Sequence, residues 1–444
     1  MTRLLAFLFA CYMLLASGAL AADKPDLGES EIPKSIHQFV EKPEPAYGWS
    51  LKGTDAKETG RIHRLHLVSQ TWQGITWEHA LYVYEPSRID HPEHALLFVS
   101  GGTNGKTPGE KDQAFGLKLA SACGAPVAVL SQVPNQPLLD NRKEDDLITE
   151  TWLRYLKTGD ETWPLLFPMV KSAVKAMDAL EEFSKDALPG RVKSFVITGA
   201  SKRGWTSWLT PVVDRRIVGT APIVIDMLNF PAQSQYQKAT WGKYSEQIVD
   251  YTSKGLVKAV TEEETPREKR LRLMMDPFTY RRQLELPKLM IVGTNDRYWV
   301  VDAMNLYWDD LAGPKYVLQV PNAGHDLGEG REHALNTLAV FFRHVASKQP
   351  LPEIRWQTNH QNGELSLSVE SKPAPTSVRL WSATAGGNDF RESKWKSEPL
   401  NVGNPGATGS VKLPDAGRHV AIFAELEFRY KDRPYSLTTL VYRK

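Results

Sequence analysis

The chain has 444 residues, of which 41% are hydrophobic and 24% are charged, and its formal net charge is +2. This near-neutral balance gives no support to a nucleic-acid partner, and the length allows a large core and more than one domain. Of the two cysteines, Cys11 falls in the N-terminal apolar segment, so Cys123 remains alone and an internal disulfide is excluded.

Residues 1–22 are predicted to be a secretory signal. Arg3 provides the positive start, residues 4–16 form a short apolar run, and the Ala-Leu-Ala of residues 19–21 fits a small-x-small cleavage site. No other stretch approaches the roughly 18 continuous apolar residues of a membrane span, so no transmembrane segment is expected. We therefore expect the mature protein to be exported, to the periplasm or the medium, and to be soluble.

Residues 23–50 are rich in proline and charge and predict an extended lead-in. Residues 62–67 and 75–84 predict two strands of a hairpin, joined near Gln73 and Gly74. The later apolar runs are continuous, which is typical of parallel strands that are covered on both faces. Helical spacing separates them, so an α/β fold with a mostly parallel sheet is predicted. Its strands are expected at residues 95–100, 127–130, 195–198, 223–225, 289–292 and 316–320, and its clearest helix at residues 162–185.

Two insertions and a C-terminal tail complete the predicted organisation. Residues 132–161 form a polar segment, and residues 227–286 are too long for a plain connection and predict a helical lid. Beyond residue 350, short strand patterns alternate with Gly, Pro and Asn turns and helical spacing ends, which predicts an all-β sandwich of immunoglobulin-like size. The expected segments are the signal at 1–22, the α/β domain at 23–349 and the β domain at 351–444.

The most informative motif lies at residues 194–205, where an apolar strand runs into a glycine-flanked turn and the start of a helix. Ser201 stands at the apex of that turn, which is the context of a nucleophile elbow. The spacing is G-x-S-x-x-G, one residue longer than the common G-x-S-x-G. Because a serine hydroxyl is a poor nucleophile until a base takes its proton, a histidine and an acid are also needed.

His325 and Asp296 are the candidates for base and acid. Each follows a predicted strand, and on a parallel sheet such loops gather at the carboxyl ends of the strands, where ligands bind. Alternatively, His325 is an ordinary surface histidine, and Asp296 caps the segment that begins near Tyr298. Asp226 follows the predicted strand at 223–225 and is the rival acid.

An oxyanion hole requires backbone N–H groups near the nucleophile. Lys202 can supply one, and Gly102 or Thr103, in the glycine-rich loop that leaves the strand at 95–100, can supply another. The side chains of Lys202 and Arg203 could receive an anionic substrate group, point to solvent or pair with an acid of the lid. No metal-binding, dinucleotide or Walker motif is visible, so neither a metal nor a cofactor is expected.

Residues 199–206 (Gly-Ala-Ser-Lys-Arg-Gly-Trp-Thr), 293–299 (Gly-Thr-Asn-Asp-Arg-Tyr-Trp) and 322–325 (Asn-Ala-Gly-His) together resemble the motifs of one family. It is the PhoPQ-activated pathogenicity-related protein family, whose eukaryotic relatives are called autocrine proliferation repressors. The resemblance extends over nearly the whole mature chain, including the β tail. It implies an α/β-hydrolase fold and a triad of Ser201, Asp296 and His325, and it leaves the substrate undefined.

The S-x-x-G spacing is also similar to that of glucuronoyl esterases, which carry S-R-x-G at the elbow. In those enzymes the basic residue after the serine helps to polarise the ester. Lys202 occupies this position here and lacks the planar fork of arginine. This second resemblance implies an ester next to a sugar or another acidic group.

The favoured hypothesis is an exported serine hydrolase that cleaves a carboxylic ester of a small molecule or glycan through an acyl-enzyme. One alternative is a serine peptidase on the same scaffold, with a peptide substrate. The other is a non-catalytic binding protein that uses the β tail to hold a glycan or partner. The oligomeric state is not predicted.

Overall fold

The structure is a computed structural model that describes residues 31–403, 406–414 and 417–444, so the predicted signal at residues 1–22 lies outside the described residues. The helices of the described residues are α1 (Ser35–Glu41), α2 (Glu110–Cys123), α3 (Glu144–Thr158), α4 (Leu166–Ala187), α5 (Lys202–Val213), α6 (Phe230–Trp241), α7 (Val249–Thr252), α8 (Pro266–Met275) and α9 (Arg331–Ala346). None of these helices combines the length and the apolar character that crossing a bilayer requires.

The strands of the same residues fall into an N-terminal and a C-terminal set. The N-terminal set is β1 (Gly48–Lys57), β2 (Gly60–Trp72), β3 (Ile75–Pro86), β4 (His94–Val99), β5 (Val127–Leu130), β6 (Ser194–Ala200), β7 (Ile217–Ile223), β8 (Lys288–Gly293) and β9 (Lys315–Val320). The C-terminal set is β10 (Glu353–Gln361), β11 (Glu364–Lys372), β12 (Ser377–Ala385), β13 (Lys396–Leu400), β14 (Ala407–Lys412), β15 (His419–Tyr430), β16 (Arg433–Thr438) and β17 (Tyr442–Arg443).

The strands β1 to β9 form one sheet in the order β1-β2-β3-β5-β4-β6-β7-β8-β9. The pairs β1-β2, β2-β3 and β3-β5 are antiparallel, whereas the strands from β5 to β9 pair in parallel. The predicted α/β architecture with a mostly parallel sheet is therefore confirmed. The predicted hairpin is β2-β3, and its turn contains Gln73 and Gly74, both at positive φ.

Successive residues of the central strands pack against opposite faces of the sheet, as continuous apolar runs require. Leu97 of β4 and Ile197 of β6 share one core with side chains of α4 and α5. Leu96 and Val196, their neighbours, share a second core with side chains of α2 and α9. The sheet is thus covered by helices on both sides, and its loops at the carboxyl ends of the strands are left to build a site.

Two predicted boundaries are wrong. The strand expected at residues 223–225 is β7, which ends at Ile223, because Val224 adopts a φ of 46° and turns the chain out of the sheet. Ile225 is apolar although it lies outside the strand, because it lines a pocket. The second is the extended lead-in expected at residues 23–50: its described part, residues 31–50, contains α1 and the start of β1, and residues 23–30 lie outside the described residues. β1 is an edge strand, and its first three residues are only half-buried, so no apolar pattern marks its start.

Both insertions contain helices. Residues 132–161 include α3, and residues 227–286 include α6, α7 and α8. Side chains from all four helices or their flanking loops line one pocket together with Ser201. The insertion at 227–286 therefore lies where a lid is expected.

The C-terminal strands form two antiparallel arrangements, β10-β11-β14 and β13-β12-β15-β16, with β17 paired to β15. Leu367 and Ile422, one from each sheet, share a core with Phe341 of α9. The N–H of Gln319 in β9 also donates to the hydroxyl of Thr438 in β16, at 3.0 Å. The tail thus packs directly on the α/β sheet; its immunoglobulin-like character and the boundary near residue 350 stay predictions.

Candidate active site

Ser201 occupies a sharp turn between β6 and α5. Its φ of 57° and ψ of −127° are strained for a residue with a side chain. The turn is held from both sides, since the Ser201 N–H donates to the Ile223 carbonyl at 2.8 Å and the Ser201 carbonyl accepts from the Trp205 N–H at 3.0 Å. The Ser201 hydroxyl makes no capping hydrogen bond to α5. The elbow context expected from sequence is present, with the hydroxyl left available for another partner.

Two glycines explain the longer G-x-S-x-x-G spacing. A Cβ on Gly199 would lie 2.7 Å from the Arg203 carbonyl oxygen. A Cβ on Gly204 would lie 2.8 Å from the Gly199 carbonyl oxygen and 2.7 Å from Cγ2 of Ile225. Real Cβ atoms are not tolerated at such distances, so the tight crossing of strand and helix requires glycine at both positions.

Asp296 and His325 meet across the ends of β8 and β9. Oδ2 of Asp296 lies 2.8 Å from Nδ1 of His325. Oδ1 of the same carboxylate accepts the Tyr298 N–H at 3.0 Å, so one oxygen caps the turn and the other holds the imidazole. Asp296 is 4% exposed, and the Tyr298 ring packs on the imidazole with centroids 4.3 Å apart. Both roles that the sequence left open for Asp296 are therefore compatible.

The loops that carry Asp296 and His325 are joined by their backbones. The Asn322 N–H donates to the Thr294 hydroxyl at 2.9 Å, and the Asn295 N–H donates to the Ala323 carbonyl at 2.9 Å. A Cβ on Gly293 would lie only 2.3 Å from the Ala323 carbonyl oxygen. The two loops are thus fixed relative to each other independently of the hydrogen bond between Asp296 and His325.

A segment of the C-terminal region clamps the same two loops. The Asn295 side-chain amide donates to the carbonyls of Arg391 at 3.1 Å and Ser393 at 2.7 Å. Asn322 makes a reciprocal pair with Trp395, donating to its carbonyl at 3.0 Å and accepting its N–H at 2.7 Å. Sequence reasoning missed this contact, because no local pattern links residues that lie 73 or more positions apart.

Asp226, the rival acid, has a different partner. Its Oδ1 accepts the hydroxyl of Tyr307 at 2.6 Å, and the residue is 4% exposed. Burial raises the pKa of Asp226 to about 7, and the nearby Asp296 charge adds to the effect. The geometry favours Asp296 as the partner of His325.

Lys202 and Arg203 share one acidic partner, Glu144, at the start of α3. The Arg203 guanidinium donates to both Glu144 oxygens at 2.8 Å, and its Nε donates to the Val133 carbonyl at 2.6 Å. The Lys202 ammonium lies 2.8 Å from Glu144 Oε2 and 3.4 Å from Asp145. Burial, the largest single effect, opposes ionisation, yet Arg203 and Lys202 together hold the pKa of Glu144 well below its usual range.

Lys202 and Arg203 differ in their position relative to the pocket that contains Ser201. Lys202 lines the pocket with Ser201, whereas Arg203 is absent from the described pocket wall. A Cβ on Gly101 would lie 2.6 Å from Nη2 of Arg203, so the guanidinium supports the glycine-rich loop from beneath. Of the roles that the sequence leaves open for these side chains, pairing with an acid fits both, although the acid comes from α3 and not from the 227–286 insertion.

Gly102 and Thr103 lie in that glycine-rich loop. Gly102 has a φ of 128°, a conformation that requires glycine. Its carbonyl accepts the Gln136 side-chain amide at 3.1 Å, and the same amide donates to Glu144 at 2.6 Å. Lys202 is the first residue of α5, so its N–H has no acceptor within the helix. The oxyanion role of these groups stays a prediction.

The pocket beside Ser201 is mainly apolar and aromatic. Asp145 stands among these walls and accepts the hydroxyl of Tyr251 at 3.2 Å. Burial, reinforced by the Asp145 charge, raises the pKa of Tyr251 well above its usual value, so this hydroxyl remains a donor. The aromatic wall consists of Trp152, Trp205, Phe230, Tyr251, Tyr298 and Trp299.

No group of three His, Cys, Asp or Glu side chains suited to a metal ion occurs in residues 31–403, 406–414 or 417–444.

Comparisons with known proteins agree with this architecture. A family model described as PhoPQ-activated pathogenicity-related protein matches residues 36–391. Autocrine proliferation repressor protein A of Dictyostelium discoideum is 31% identical over 434 residues, which cover 89% of this chain and 86% of that protein. Acetyl xylan esterase 1 from a Thermoanaerobacterium species is similar in structure, with a TM-score of 0.50 and 12% identity over 70% of this chain and 92% of that chain. An acetyl xylan esterase from a Paenibacillus species gives a TM-score of 0.50 and 12% identity over 69% of this chain and 92% of that chain.

Proposed function

Because this chain belongs to the PhoPQ-activated pathogenicity-related protein family and has the α/β-hydrolase fold of esterases, we propose that it is a serine hydrolase that cleaves carboxylic esters. The observation that carries the proposal is the 2.8 Å hydrogen bond between His325 and Asp296, at the sheet edge where the strained Ser201 turn also lies. The fold alone would not support it, since one fold hosts many functions.

In the proposed reaction, Asp296 accepts the Nδ1–H of His325 and leaves Nε2 as a proton acceptor. Nε2 takes the Ser201 proton as Oγ forms a bond to the ester carbonyl carbon. The negative charge on the carbonyl oxygen is stabilised by the Lys202 N–H and by an N–H of Gly102 or Thr103. The protonated imidazole then gives its proton to the departing alcohol, and water hydrolyses the acyl-enzyme by the same steps.

The apolar walls support this chemistry. Trp205, Phe230 and Tyr298 line the pocket with Ser201, and a site from which water is excluded strengthens the electrostatic stabilisation of the oxyanion. We propose that this reaction occurs outside the cytoplasm, because residues 1–22 are predicted to be a secretory signal. Detection of the mature chain in the periplasmic or culture fraction, and not in the cytosol, checks that location.

Matched ester and amide substrates test the reaction class. We expect kcat/KM for p-nitrophenyl acetate to exceed that for p-nitroacetanilide by at least about tenfold, because an ester has a better leaving group. A kcat/KM that is higher for amides, particularly for short peptides, would instead support the peptidase alternative. No turnover of any ester or amide by the wild-type protein would support the non-catalytic alternative.

A further inference from the structure

Helix α6 carries three glutamines with three different environments. Gln233 and Gln237 are buried, one helical turn apart, whereas Gln235 between them is exposed. Buried glutamine is uncommon unless its amide is hydrogen-bonded. The buried face of this lid helix is therefore polar, which an ordinary packing role does not require.

Gln237 meets this requirement within the protein. Its Nε2 donates to the Tyr298 carbonyl at 2.9 Å, and its Oε1 accepts the Ser245 N–H at 3.0 Å. Gln233 does not meet it. Among the described residues, neither its Nε2 nor its Oε1 has a hydrogen-bond partner, and the residue is 4% exposed.

Gln233 lies in the wall of the pocket that contains Ser201. Trp152 and Trp299 line the same pocket, and their indole N–H groups also lack partners among the described residues. Each unpaired buried polar group costs free energy of folding, so three residues with such groups in the wall of the pocket that contains Ser201 indicate a ligand that supplies the missing partners.

The chemistry of that ligand follows from the groups that need partners. Oε1 of Gln233 requires a donor, while its Nε2 and the indole N–H groups of Trp152 and Trp299 require acceptors. Hydroxyl groups act in both ways, and two hydroxyls on neighbouring ring carbons can pair with both ends of one carboxamide. A single secondary amide of a peptide, in contrast, has its donor and its acceptor on opposite sides, so it does not pair with both ends of the Gln233 carboxamide in this way. The C–H faces of a ring also fit the flat aromatic walls.

We propose that the pocket beside Ser201 binds a sugar ring and that Gln233 determines this specificity by hydrogen bonding to adjacent ring hydroxyls. This inference rests on the proposed function, because it makes the substrate a sugar ester. The sugar could be the acid component, as in an ester of a uronic acid, or the alcohol component, as in an acylated sugar. Both present the same hydroxylated ring, and the substrates below distinguish them.

Two matched substrate pairs test the inference. Methyl glucuronate is compared with methyl cyclohexanecarboxylate, and glucose monoacetate with cyclohexyl acetate, so that each pair differs mainly in the ring hydroxyls. In at least one pair we expect the wild-type kcat/KM to favour the sugar ester by roughly 10²-fold. Gln233→Leu is expected to reduce that preference at least about tenfold, whereas Gln235→Leu, the same change on the exposed face of α6, should preserve it.

Stability provides a second readout. Gln233→Leu removes two unpaired buried polar atoms, so its melting temperature should equal or exceed that of the wild type. Gln237→Leu, in contrast, leaves the Tyr298 carbonyl and the Ser245 N–H without their partner and should melt at a lower temperature. A clear loss of stability in Gln233→Leu would overturn the assignment of unpaired atoms to this residue.

Binding separates the two proposals. Tryptophan fluorescence of the Ser201→Ala variant is titrated with methyl glucuronate and with glucose monoacetate, with and without Gln233→Leu. Saturable quenching by either sugar that Gln233→Leu weakens at least about tenfold supports the sugar site even if the wild type hydrolyses nothing. Equal use of both members of each pair by the wild type, or an unchanged preference in Gln233→Leu, would overturn the sugar site and leave the esterase proposal standing.

Discussion

Asp296→Asn is expected to lower kcat by about 10³–10⁴-fold with little change in KM. The asparagine has the same shape, so its Oδ1 can still accept the Tyr298 N–H. Its Nδ2, however, donates a hydrogen bond where Oδ2 of Asp296 accepted one from His325. The imidazole must then carry its proton on Nε2, and that nitrogen can no longer accept the Ser201 proton. Steady-state kinetics with the best ester substrate measures the effect, and circular dichroism checks that the variant is folded.

Asp226→Asn is the matched control. It is the same substitution in a buried acid at the end of the neighbouring strand β7, and Oδ1 of the asparagine can still accept the Tyr307 hydroxyl. We expect kcat within about threefold of wild type, since this carboxyl does not hold His325. A loss in Asp226→Asn as large as that in Asp296→Asn would contradict the assignment of the acid.

The raised pKa of Asp226 adds a signature in pH. A buried acid of this kind stabilises the folded state fully below its unfolded pKa of about 4, and this contribution is lost as pH rises through about 7. Asp226→Asn should therefore gain stability relative to wild type progressively between about pH 4 and about pH 7. An identical pH profile of melting temperature in the two proteins would contradict this account of Asp226.

Glu144→Ala is expected to reduce the free energy of unfolding by about 2–3 kcal/mol. The side chains of Lys202 and Arg203 are 8% and 11% exposed. Arg203 loses the carboxylate that pairs with it, and, among the described residues, Lys202 keeps only Asp145, at 3.4 Å. Breaking a fully buried pair costs about 3–5 kcal/mol; the 42% exposure of Glu144 lets water screen part of that cost. Glu150→Ala, in the same helix, leaves the cations Arg142 and Arg154, whose side chains are both 32% exposed and can reach water, and should cost less than about 1 kcal/mol. Urea unfolding at neutral pH measures both.

The decrease in the free energy of unfolding at low pH, the acid limb of the stability profile, tests the same interaction. Because the pKa of Glu144 is lowered in the folded state, its contribution is present above the unfolded pKa of about 4.3 and is lost as pH falls through the folded pKa. Wild type should therefore lose stability on acidification more steeply than Glu144→Ala. Parallel acid limbs, or equal costs for Glu144→Ala and Glu150→Ala at neutral pH, would show that the charges of Lys202 and Arg203 are compensated elsewhere.

Sequence patterns are sufficient to predict those parts of the site that depend on the order of strands and loops along the chain. Ser201, Asp296 and His325 each follow an apolar run, and consecutive parallel strands bring their exits to one edge whatever the surrounding detail. Asp296 and His325 meet for this reason. The sequence predicts a strand through residue 225, whereas β7 ends at Ile223. The apolar run misleads here because Ile223 belongs to the sheet and Ile225 lines the pocket.

The remaining features depend on partners that are distant in the chain. Nothing in the sequence around Glu144 shows that it pairs with Lys202 and Arg203, which lie almost 60 positions away. The clamp between Asn322 and Trp395 joins two regions that were predicted to be separate domains. Gln233 could have been noticed from the i, i+4 spacing of glutamines on a lid helix, but its unpaired amide is visible only once every neighbour is placed.

Covalent labelling with a fluorophosphonate, followed by intact-mass and peptide mass spectrometry, tests the central claim most directly. An activated serine attacks the phosphorus and displaces fluoride, so the wild-type protein should carry a single adduct on the peptide that contains Ser201. Ser201→Ala should carry none, and Asp296→Asn should label far more slowly because His325 can no longer accept the serine proton. Equal labelling of wild type and Ser201→Ala, or an adduct on another residue, would contradict the account.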